Sequence, residues 1–317
     1  MLSSGTSSEW HTDLFLGNTT EFKSVHLATS SNNFGIWGTA STGSCSILFG
    51  LTTDGYNALR SKEILGDVHS LAWSPNGHAL HALDSHSSAA LSTSVTTFRI
   101  AEEPTLEDVT GIDVLLNVTN ASQITAHPTG NNLYVVTKDS NELITIPIPD
   151  YPLANNATIT SRHRLIPASL DTSQFYTSSL AVTASRTTLW TLSQSSNQAI
   201  ISAFSVNETT GAIISIIARA SWAGAGDGHL AAAPFERGNM IAVTNSPTGY
   251  VTLLELEYGL SATSFVDELH TGHDYLKQMS VGELEHRDVG VESASVRSYG
   301  RTVLDDYATI GECVWIN

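Results

Sequence analysis

The chain has 317 residues and a net charge of −17, and only 14% of its residues are charged, against about 25% in a typical globular protein. Phosphate groups and anionic membranes are bound largely through Lys and Arg, so this charge balance excludes duplex nucleic acid and anionic membrane as partners. A membrane-spanning helix is also excluded, because no apolar run approaches the about 20 residues that such a helix requires.

The first predicted elements follow an irregular lead-in, residues 1–20, and begin a single domain that we expect to span 21–317. Apolar and polar residues alternate over 22–39 and 45–51, which is typical of strands with one buried face. Ser41-Thr42-Gly43 between them has the composition of a turn. These segments predict the first sheet.

Two strand–turn–strand units follow. The stretch 68–84, VHSLAWSPNGHALHALD, turns at Pro75-Asn76-Gly77, and an outer strand is predicted over 94–100. The stretch 123–138, QITAHPTGNNLYVVTK, shows the same pattern most clearly, with a Pro-Thr-Gly-Asn turn before an apolar strand. A further strand is predicted over 142–148, so each unit begins a separate sheet.

The second half of the chain repeats this arrangement twice. Strands are predicted over 179–192 and 199–206, with a turn at 207–211 after them. They are predicted again over 229–245 and 250–257. The repeated units therefore predict a fourth and a fifth sheet.

The pattern changes near the C-terminus. Residues 267–292 are polar and lack a two-residue alternation, which is compatible with a loop-bearing blade, a short helix or a lid. The last run, GECVWI at 311–316, has the composition of a buried strand. Units that recur about every 50 residues are typical of a β-propeller with one blade per repeat. We therefore predict an all-β fold, a single propeller of about seven blades, with six as the alternative. The strand 311–316 is predicted to close the ring.

Two cysteines, Cys45 and Cys313, lie near opposite ends of the chain. The first and last blades of a closed ring are neighbours, so the two thiols are candidates for a disulfide that closes a very long loop. Two separate buried thiols are the alternative.

The glycosylation sequons are relevant to the cellular compartment in which the protein is found. Five Asn-X-Ser/Thr sequons occur, at Asn18, Asn117, Asn120, Asn156 and Asn207. The N-terminal sequence MLSSGTSSEW has no apolar segment of a signal peptide. The sequons and the scarcity of lysine favour the secretory pathway or the extracellular space, with a signal peptide already removed, and the cytoplasm is the alternative.

Three stretches carry a resemblance to a known family: AHPTGNNLY at 126–134, Gly228-His229 with IAVT at 241–244, and VWI at 314–316. In these stretches the chain resembles the seven-bladed propellers of fungal carboxy-cis,cis-muconate cyclases and, more distantly, 6-phosphogluconolactonase-type propellers. The resemblance covers the C-terminal two thirds of the chain, whereas 21–120 matches only loosely. It implies a propeller with a substrate site at its central channel.

The chain departs from that family where its site would be cationic. A His-Pro-Arg-like motif of the family is replaced here by Asn120-Ala121-Ser122-Gln123, and its Tyr-Arg pair by Tyr176-Thr177. Arg binds carboxylate and phosphate strongly and with a defined geometry. We therefore expect neither a muconate nor a phosphorylated sugar lactone as the substrate.

Propeller sites lie at the ends of the innermost strands, where a few residues per blade approach the channel. The candidate catalytic residues at such positions are His69, Gln123, Thr177 and His229. The candidate substrate-binding residues are Tyr176, Ser178, Trp73, Trp222 and Glu312. This set is largely neutral and rich in hydrogen-bonding groups, which suits a small, apolar, carbonyl-bearing organic molecule.

Such a pocket favours a cofactor-free cyclase in which donors polarise a substrate carbonyl and aromatic walls hold the reacting groups together. In this respect the chain resembles the fungal propeller-type hetero-Diels–Alderases of tropolone-sesquiterpenoid pathways, which also have uncharged pockets. A lactone hydrolase or muconate-type lactonising enzyme is one alternative. A non-catalytic binding propeller is another, and a homodimer is compatible with any of these functions.

No cofactor and no metal are expected. The sequence contains no nucleophile elbow, zinc-protease helix or phosphate-binding Walker loop. His270-Thr271-Gly272-His273-Asp274 has a spacing close to that of metal ligands, but side chains in so polar a loop are usually solvated.

Overall fold

The computed structural model describes residues 24–29, 36–42, 45–52, 55–60, 68–77, 79–84, 93–99, 112–115, 118–129, 132–148, 158–223, 228–233, 239–245, 250–258, 276–278 and 294–303. Over these residues the chain forms 21 strands and one 3-10 turn, Thr172–Gln174. None of the described segments contains a helix that is long and apolar enough to cross a membrane.

The strands form five antiparallel sheets, which we number as blades 1 to 5 in chain order. Blade 1 contains β1 (Ser24–Thr29), β2 (Ile36–Thr42), β3 (Cys45–Thr52) and β4 (Gly55–Arg60). Blade 2 contains β5 (Val68–Trp73), β6 (Ala79–Asp84), β7 (Ser94–Arg99) and β8 (Ile112–Leu115). Blade 3 contains β9 (Ala121–Ala126), β10 (Asn132–Thr137), β11 (Glu142–Pro147) and β12 (Ser161–Arg164).

Blades 4 and 5 are built in the same way from the second half of the chain. Blade 4 contains β13 (Tyr176–Val182), β14 (Thr188–Gln194), β15 (Gln198–Val206) and β16 (Ile213–Ala223), and β20 (Leu276–Gln278) pairs with the outer edge of β16. Blade 5 contains β17 (Leu230–Ala232), β18 (Met240–Asn245), β19 (Tyr250–Tyr258) and β21 (Ala294–Val303).

The first strand of each blade is the innermost strand. These strands contact each other in chain order, β1 with β5, β5 with β9, β9 with β13 and β13 with β17. Each blade therefore packs between its neighbours in sequence, as in a propeller.

Alternating side chains of the second strand fill the spaces between blades. In β10, Leu133 and Val135 pack into a cluster with residues of blade 2, whereas Tyr134 and Val136 pack into a cluster with residues of blade 4. A strand whose two faces are both covered is apolar along its whole length, which explains the run Leu133–Val136. Fully burying each such side chain contributes about 1.5–3 kcal/mol.

The turn at 207–211 of blade 4 docks onto blade 3. Asn132 Nδ2 donates to Thr210 O at 2.6 Å, and the Tyr134 hydroxyl donates to Gly211 O at 2.5 Å. Gly211 has a φ of +70°, and a Cβ there would come within 2.8 Å of His127 Cγ. Glycine is therefore required at the end of this turn.

The five predicted sheets are confirmed, but their outermost strands β4, β8, β12, β16 and β21 were not predicted. In β12, SRHR, half-buried and exposed residues alternate without an apolar face, so its sequence lacks the signal used for the inner strands. Several predictions lie outside the described residues: the lead-in 1–20, most of 267–292 and the closing strand 311–316. The number of about seven blades and the closure of the ring remain predictions.

Candidate functional site

A β-bulge interrupts the innermost strand of three successive blades at a corresponding point. The pairing register shifts by one residue near the start of β5, β9 and β13. The extra residues are His69, Ser122 and Ser178. Bulges redirect side chains and often lie beside functional sites. This end of the inner strands is therefore the candidate site.

The residue after each bulge binds the next blade through its side chain. The three hydrogen bonds run from Ile124 N to Ser70 Oγ (3.1 Å), from Leu180 N to Gln123 Oε1 (2.7 Å) and from Leu230 N to Ser179 Oγ (3.1 Å). His229 occupies the corresponding position in blade 5, one residue before Leu230 and opposite Thr244. The same position therefore links three pairs of blades.

Gln123 is half-buried, and this link determines how its amide is oriented. Because Leu180 N is a donor, the oxygen of the Gln123 amide must face it. The Gln123 Nε2 group has no hydrogen-bond acceptor among the described residues, so it is available to donate to a bound molecule. The predicted role of Gln123 as a donor is compatible with this geometry.

Thr177 has surroundings that differ from those expected of a catalytic residue. Its side chain is completely buried, and its hydroxyl donates to Asn141 Oδ1 at 2.9 Å. With its one proton used there, Thr177 accepts from the Ser193 hydroxyl at 2.7 Å. A hydroxyl that is buried and satisfied in this way stabilises the junction of blades 3 and 4 and does not reach a substrate.

Tyr176 is half-buried at the start of β13. The ammonium group of Lys138 lies 5.7 Å from the centre of its ring, within the range of a cation–π interaction. Lys138 is exposed in the turn after β10, and its carbonyl accepts a hydrogen bond from Thr177 N at 3.3 Å. The site region thus contains a cation, which the sequence reasoning missed.

Ser178 takes part in a buried cluster around Gly228. Its hydroxyl donates to Gly228 O at 3.1 Å and accepts from Gln194 Nε2 at 2.8 Å. Gln194 Nε2 also donates to Gly228 O at 3.1 Å, and Gln194 Oε1 accepts from Gly228 N at 3.1 Å. A Cβ on Gly228 would come within 2.2 Å of Thr244 O, so only glycine fits.

His229 directly follows this glycine. Its backbone N donates to Thr244 Oγ1 at 2.8 Å, and its carbonyl accepts from Thr244 N at 3.0 Å. The imidazole is half-buried and makes no hydrogen bond within the described part of the chain. Two hydrogen bonds thus hold the His229 backbone, and no acceptor or donor among the described residues occupies its ring, so the imidazole is a candidate for acid–base chemistry.

The other histidines whose side chains are described belong to the packing between strands and blades. His81 is completely buried with Nδ1 2.8 Å from Thr97 Oγ1, and burial lowers its pKa to about 4. Burial also lowers the pKa values of His127 and His163. These rings are held in the neutral form, so they serve packing rather than proton transfer.

The two predicted aromatic walls do not flank the candidate site. Trp73 is the last residue of β5, about 13 Å along the strand from His69 at its start. Trp222 lies on β16, the fourth strand of blade 4, and packs against the core between blades 4 and 5. Strands are about 4.8 Å apart, so three spacings separate Trp222 from β13. The sequence did not reveal which strand of the blade would carry it.

Several predicted site residues are not described. The side chain of His69 is outside the described part of the chain, and so is Glu312. Cys45 lies in β3, but its side chain is not described and Cys313 is outside the described residues, so their disulfide remains a prediction.

Two of the five predicted sequons are described. Asn207 is exposed, and its Oδ1 accepts from Thr209 N and Thr210 N. Asn120 Nδ2 instead donates to Asp139 Oδ2 at 3.0 Å. Asn18, Asn117 and Asn156 lie outside the described residues. Glycosylation and secretion therefore remain predictions.

A metal site was not expected. The part of the chain that the structure describes contains no group of three or more His, Cys, Asp or Glu side chains placed to hold a metal ion. The 270–274 segment lies outside it.

Sequence reasoning also missed Gln194 and Asn141, which form the buried polar contacts of the site. Gln194 ends β14 after an otherwise ordinary strand sequence. Asn141 has a φ of +50° in the turn before β11. A positive φ favours Asn over most residues, so the turn composition carried a weak signal for Asn141 alone.

Comparisons with known proteins bear on the fold. No protein family profile matches the chain, and no curated protein is significantly similar to it. Among solved structures it is similar to a candidate 6-phosphogluconolactonase from Bacteroides fragilis, with a TM-score of 0.55 and 13% identity over 86% of this chain and 72% of that chain.

Two further structures have the same degree of similarity. One is a candidate 6-phosphogluconolactonase from Bacteroides uniformis, with a TM-score of 0.52 and 14% identity over 72% of this chain and 65% of that chain. The other is the β-propeller domain of Cps50 (Swd1) from Myceliophteria thermophila, with a TM-score of 0.52 and 14% identity over 77% of this chain and 70% of that chain. The chain thus spans about two thirds of the Bacteroides uniformis protein.

At such identities the similarity concerns the fold. The resemblance seen in the sequence is confirmed to that extent, since structures of the lactonase type and of other propellers share the arrangement of the blades. The five consecutive antiparallel sheets and their inner-strand contacts agree with it. The chain is therefore an all-β protein with a β-propeller fold.

Proposed function

We propose that this propeller hydrolyses lactones that carry little or no charge, with His229 as the general base. The observation that carries the proposal is the half-buried imidazole of His229, which follows the clamped Gly228 and makes no hydrogen bond among the described residues. The likeness of the fold to two candidate 6-phosphogluconolactonases supports the choice of a lactone.

The chemistry needs a base and a donor. The His229 imidazole takes a proton from water, and the water oxygen forms a bond with the lactone carbonyl carbon. The ring C–O bond then breaks, and the imidazolium returns the proton to the departing ring oxygen. The Gln123 amide N–H, held by Leu180 N on the other side, donates to the carbonyl oxygen as negative charge develops there. The product is the hydroxy acid.

The charge of the site limits the substrate. Neutral Gln123 and Thr177 stand where the sequence resemblance to muconate cyclases implies cations, and Lys138 contributes a single positive charge beside Tyr176. Bidentate recognition of phosphate requires the guanidinium fork of Arg. We therefore expect an unphosphorylated lactone to be preferred over a phosphorylated one.

Hydrolysis can be followed by proton release with four lactones: glucono-δ-lactone, its 6-phosphate, γ-butyrolactone and dihydrocoumarin. We expect turnover of at least one unphosphorylated lactone and a loss of about 10²- to 10⁴-fold in His229→Gln, the range for a general base. Arg297→Gln is the control, since this exposed residue lies on the outer strand of the same blade. No turnover of any lactone, or an unchanged rate in His229→Gln, would overturn the proposal.

A cofactor-free cyclase, including a hetero-Diels–Alder reaction, is the second candidate. It is favoured by the neutral donors at the start of the inner strands, because a cycloaddition needs polarisation and confinement rather than a nucleophile. A conjugated enone incubated with an apolar alkene tests it. An unchanged ratio of cyclic products with and without protein would reject this function.

A further inference from the structure

Gln194 makes two side-chain hydrogen bonds to the start of blade 5 and one to Ser178 of its own blade. It is buried at 1% exposure, and its amide oxygen accepts from Gly228 N while its nitrogen donates to Gly228 O and to Ser178 Oγ. A glutamine amide has two N–H donors, and both are occupied here. The amide therefore holds the N–H and C=O groups of one residue at the same time.

Gly228 is also closely packed against a second strand. Its Cα faces the carbonyl of Thr244, since a Cβ would lie only 2.2 Å from that oxygen. The Ser178 hydroxyl donates to the same Gly228 carbonyl at 3.1 Å. Gly228 is thus enclosed by β13, β14 and β18, and this enclosure joins blade 4 to blade 5.

The restraint passes to His229 through the peptide bond that joins it to Gly228. Thr244 holds the N–H of His229 at 2.8 Å and its carbonyl at 3.0 Å. The remaining freedom of the imidazole is then rotation about its own side-chain bonds. Any shift of Gly228 therefore displaces the backbone of His229, from which the imidazole extends.

We infer that Gln194 is the positioning residue for the His229 imidazole. Its amide does not contact a substrate, and it acts by setting the backbone from which the imidazole extends. The catalytic part of this inference rests on the proposed function of His229 as the base. The structural part, that Gln194 determines the setting of the His229 ring, is independent of any activity.

A misplacement of about 1 Å costs about 100-fold in rate when the reacting geometry depends on it. Replacement of Gln194 by Met keeps the volume of the side chain and removes all of its hydrogen bonds. We expect Gln194→Met to lower kcat for the lactone by about 10-fold or more, with KM changed by less than about 2-fold. The matched control is Gln198→Met, because Gln198 lies in the same blade and its side chain makes no described hydrogen bond.

The pH dependence of the activity of Gln194→Glu distinguishes a hydrogen-bonding role of Gln194 from a role in which its side chain only fills space. A protonated carboxyl can replace the amide, since its O–H can donate to Gly228 O while its C=O accepts from Gly228 N. Burial favours that neutral form. The activity of Gln194→Glu relative to the wild-type protein is therefore expected to rise as the pH is lowered from about 8 to about 5.

The ring itself can be observed by NMR with ¹⁵N-labelled histidine, using His229→Gln to assign the signal. Gln194→Met is expected to shift or broaden the His229 ring signals and to leave those of His81 unchanged, whereas Gln198→Met changes neither. If Gln194→Met does not fold, Ser178→Ala removes one of the bonds to Gly228 and should shift the His229 signals in a smaller degree.

The outcomes separate the two proposals. Altered His229 signals in a protein without lactone turnover would reject the proposed function and keep the positioning role. Lactone turnover that depends on His229 but is unaffected by Gln194→Met would reject the positioning role. Unchanged His229 ring signals in both Gln194→Met and Ser178→Ala would also overturn it.

Discussion

Two junctions between blades use the same position of the fold in different ways. In each of these blades, the residue whose side chain links to the next blade pairs with a residue of the second strand. Lys138 of blade 3 and Gln194 of blade 4 each lie two residues after that pairing partner. Lys138 is exposed and sends its ammonium group over the Tyr176 ring of the next blade. Gln194 is buried and encloses Gly228 of the next blade. One junction presents a charge to solvent, and the other fixes a backbone.

The junctions also differ at their other ends. Between blades 3 and 4, Tyr134 and Asn132 donate to the turn at 207–211 from buried positions. Between blades 4 and 5, the described polar contacts there are side-chain bonds that each include a half-buried or exposed residue: Ser185 Oγ to Asn239 Oδ1 at 3.1 Å, and Thr188 Oγ1 with the Tyr258 hydroxyl at 3.4 Å. The junction of blades 4 and 5 is therefore expected to depend more heavily on Gly228 and its enclosure.

The largest effect should come from Gly228→Ala. The new methyl group would meet a backbone carbonyl at 2.2 Å, which cannot yield without moving β18. We expect a loss of about 3 kcal/mol or more in the free energy of unfolding, at or beyond the upper end for overpacking. Denaturant titration measures it. Gly211→Ala at the other junction meets the His127 side chain at 2.8 Å and should cost less. A larger loss in Gly211→Ala would contradict the comparison.

A smaller difference is expected between two tyrosines. Tyr134→Phe removes a buried hydrogen bond, and the Gly211 carbonyl loses this donor. We expect the free energy of unfolding to fall by about 1–2 kcal/mol. Tyr258→Phe removes a hydroxyl that contacts Thr188 of blade 4 and Asn239 of its own blade, but Tyr258 is 45% exposed, so water can replace it. Its effect should stay within about 0.5 kcal/mol. Equal losses in the two variants, measured by denaturant unfolding, would show that the two junctions do not differ in this way.

The smallest predicted effect concerns pH and the junction of blades 3 and 4. His127 Nδ1 accepts from Thr129 N at 3.3 Å, so its Nε2 carries the proton donated to Arg186 O at 3.1 Å. Burial is the largest effect and lowers the pKa of His127 in the folded protein. The hydrogen bond to the Arg186 carbonyl raises this pKa to a lesser extent, the charge of Arg186 lowers it and the charge of Glu208 raises it. The unfolded chain then binds more protons, with a pKa near 6.5.

The stability that His127 contributes is therefore complete above about pH 6.5 and is lost as the pH falls through the lower folded pKa. We expect His127→Gln to reduce the dependence of unfolding free energy on pH between about 7 and 5. Hydrogen exchange at about pH 5 should rise in the 207–211 turn before it rises at Gly228. A wild-type protein equally stable at both pH values, or exchange that rises first at Gly228, would contradict this.

The blades were predictable because their signal is local. A strand such as Leu133–Val136 is apolar throughout since both of its faces are covered, and a Pro-Thr-Gly-Asn turn marks its start whatever surrounds it. The outer strand β12 had no such signal, because solvent covers much of it and its sequence is free to be polar.

The site was less predictable because its parts depend on register and on neighbouring blades. Thr177 was expected to face a substrate, but the bulge at Ser178 turns Thr177 towards Asn141 and Ser193 in the interior. Trp222 was expected near the channel, but nothing in its own sequence indicates that it lies on the fourth strand of its blade.

The sequence by itself determined the all-β fold, the five sheets and the positions near Gln123 and His229 where inner strands begin. The tertiary structure decided what those residues do. It ties the Gln123 oxygen to Leu180 N and encloses Gly228 between Gln194 and Thr244. The physical reason is one of distance along the chain: alternation and turns depend on adjacent residues, whereas each of these contacts joins residues that are dozens of positions apart or lie in different strands.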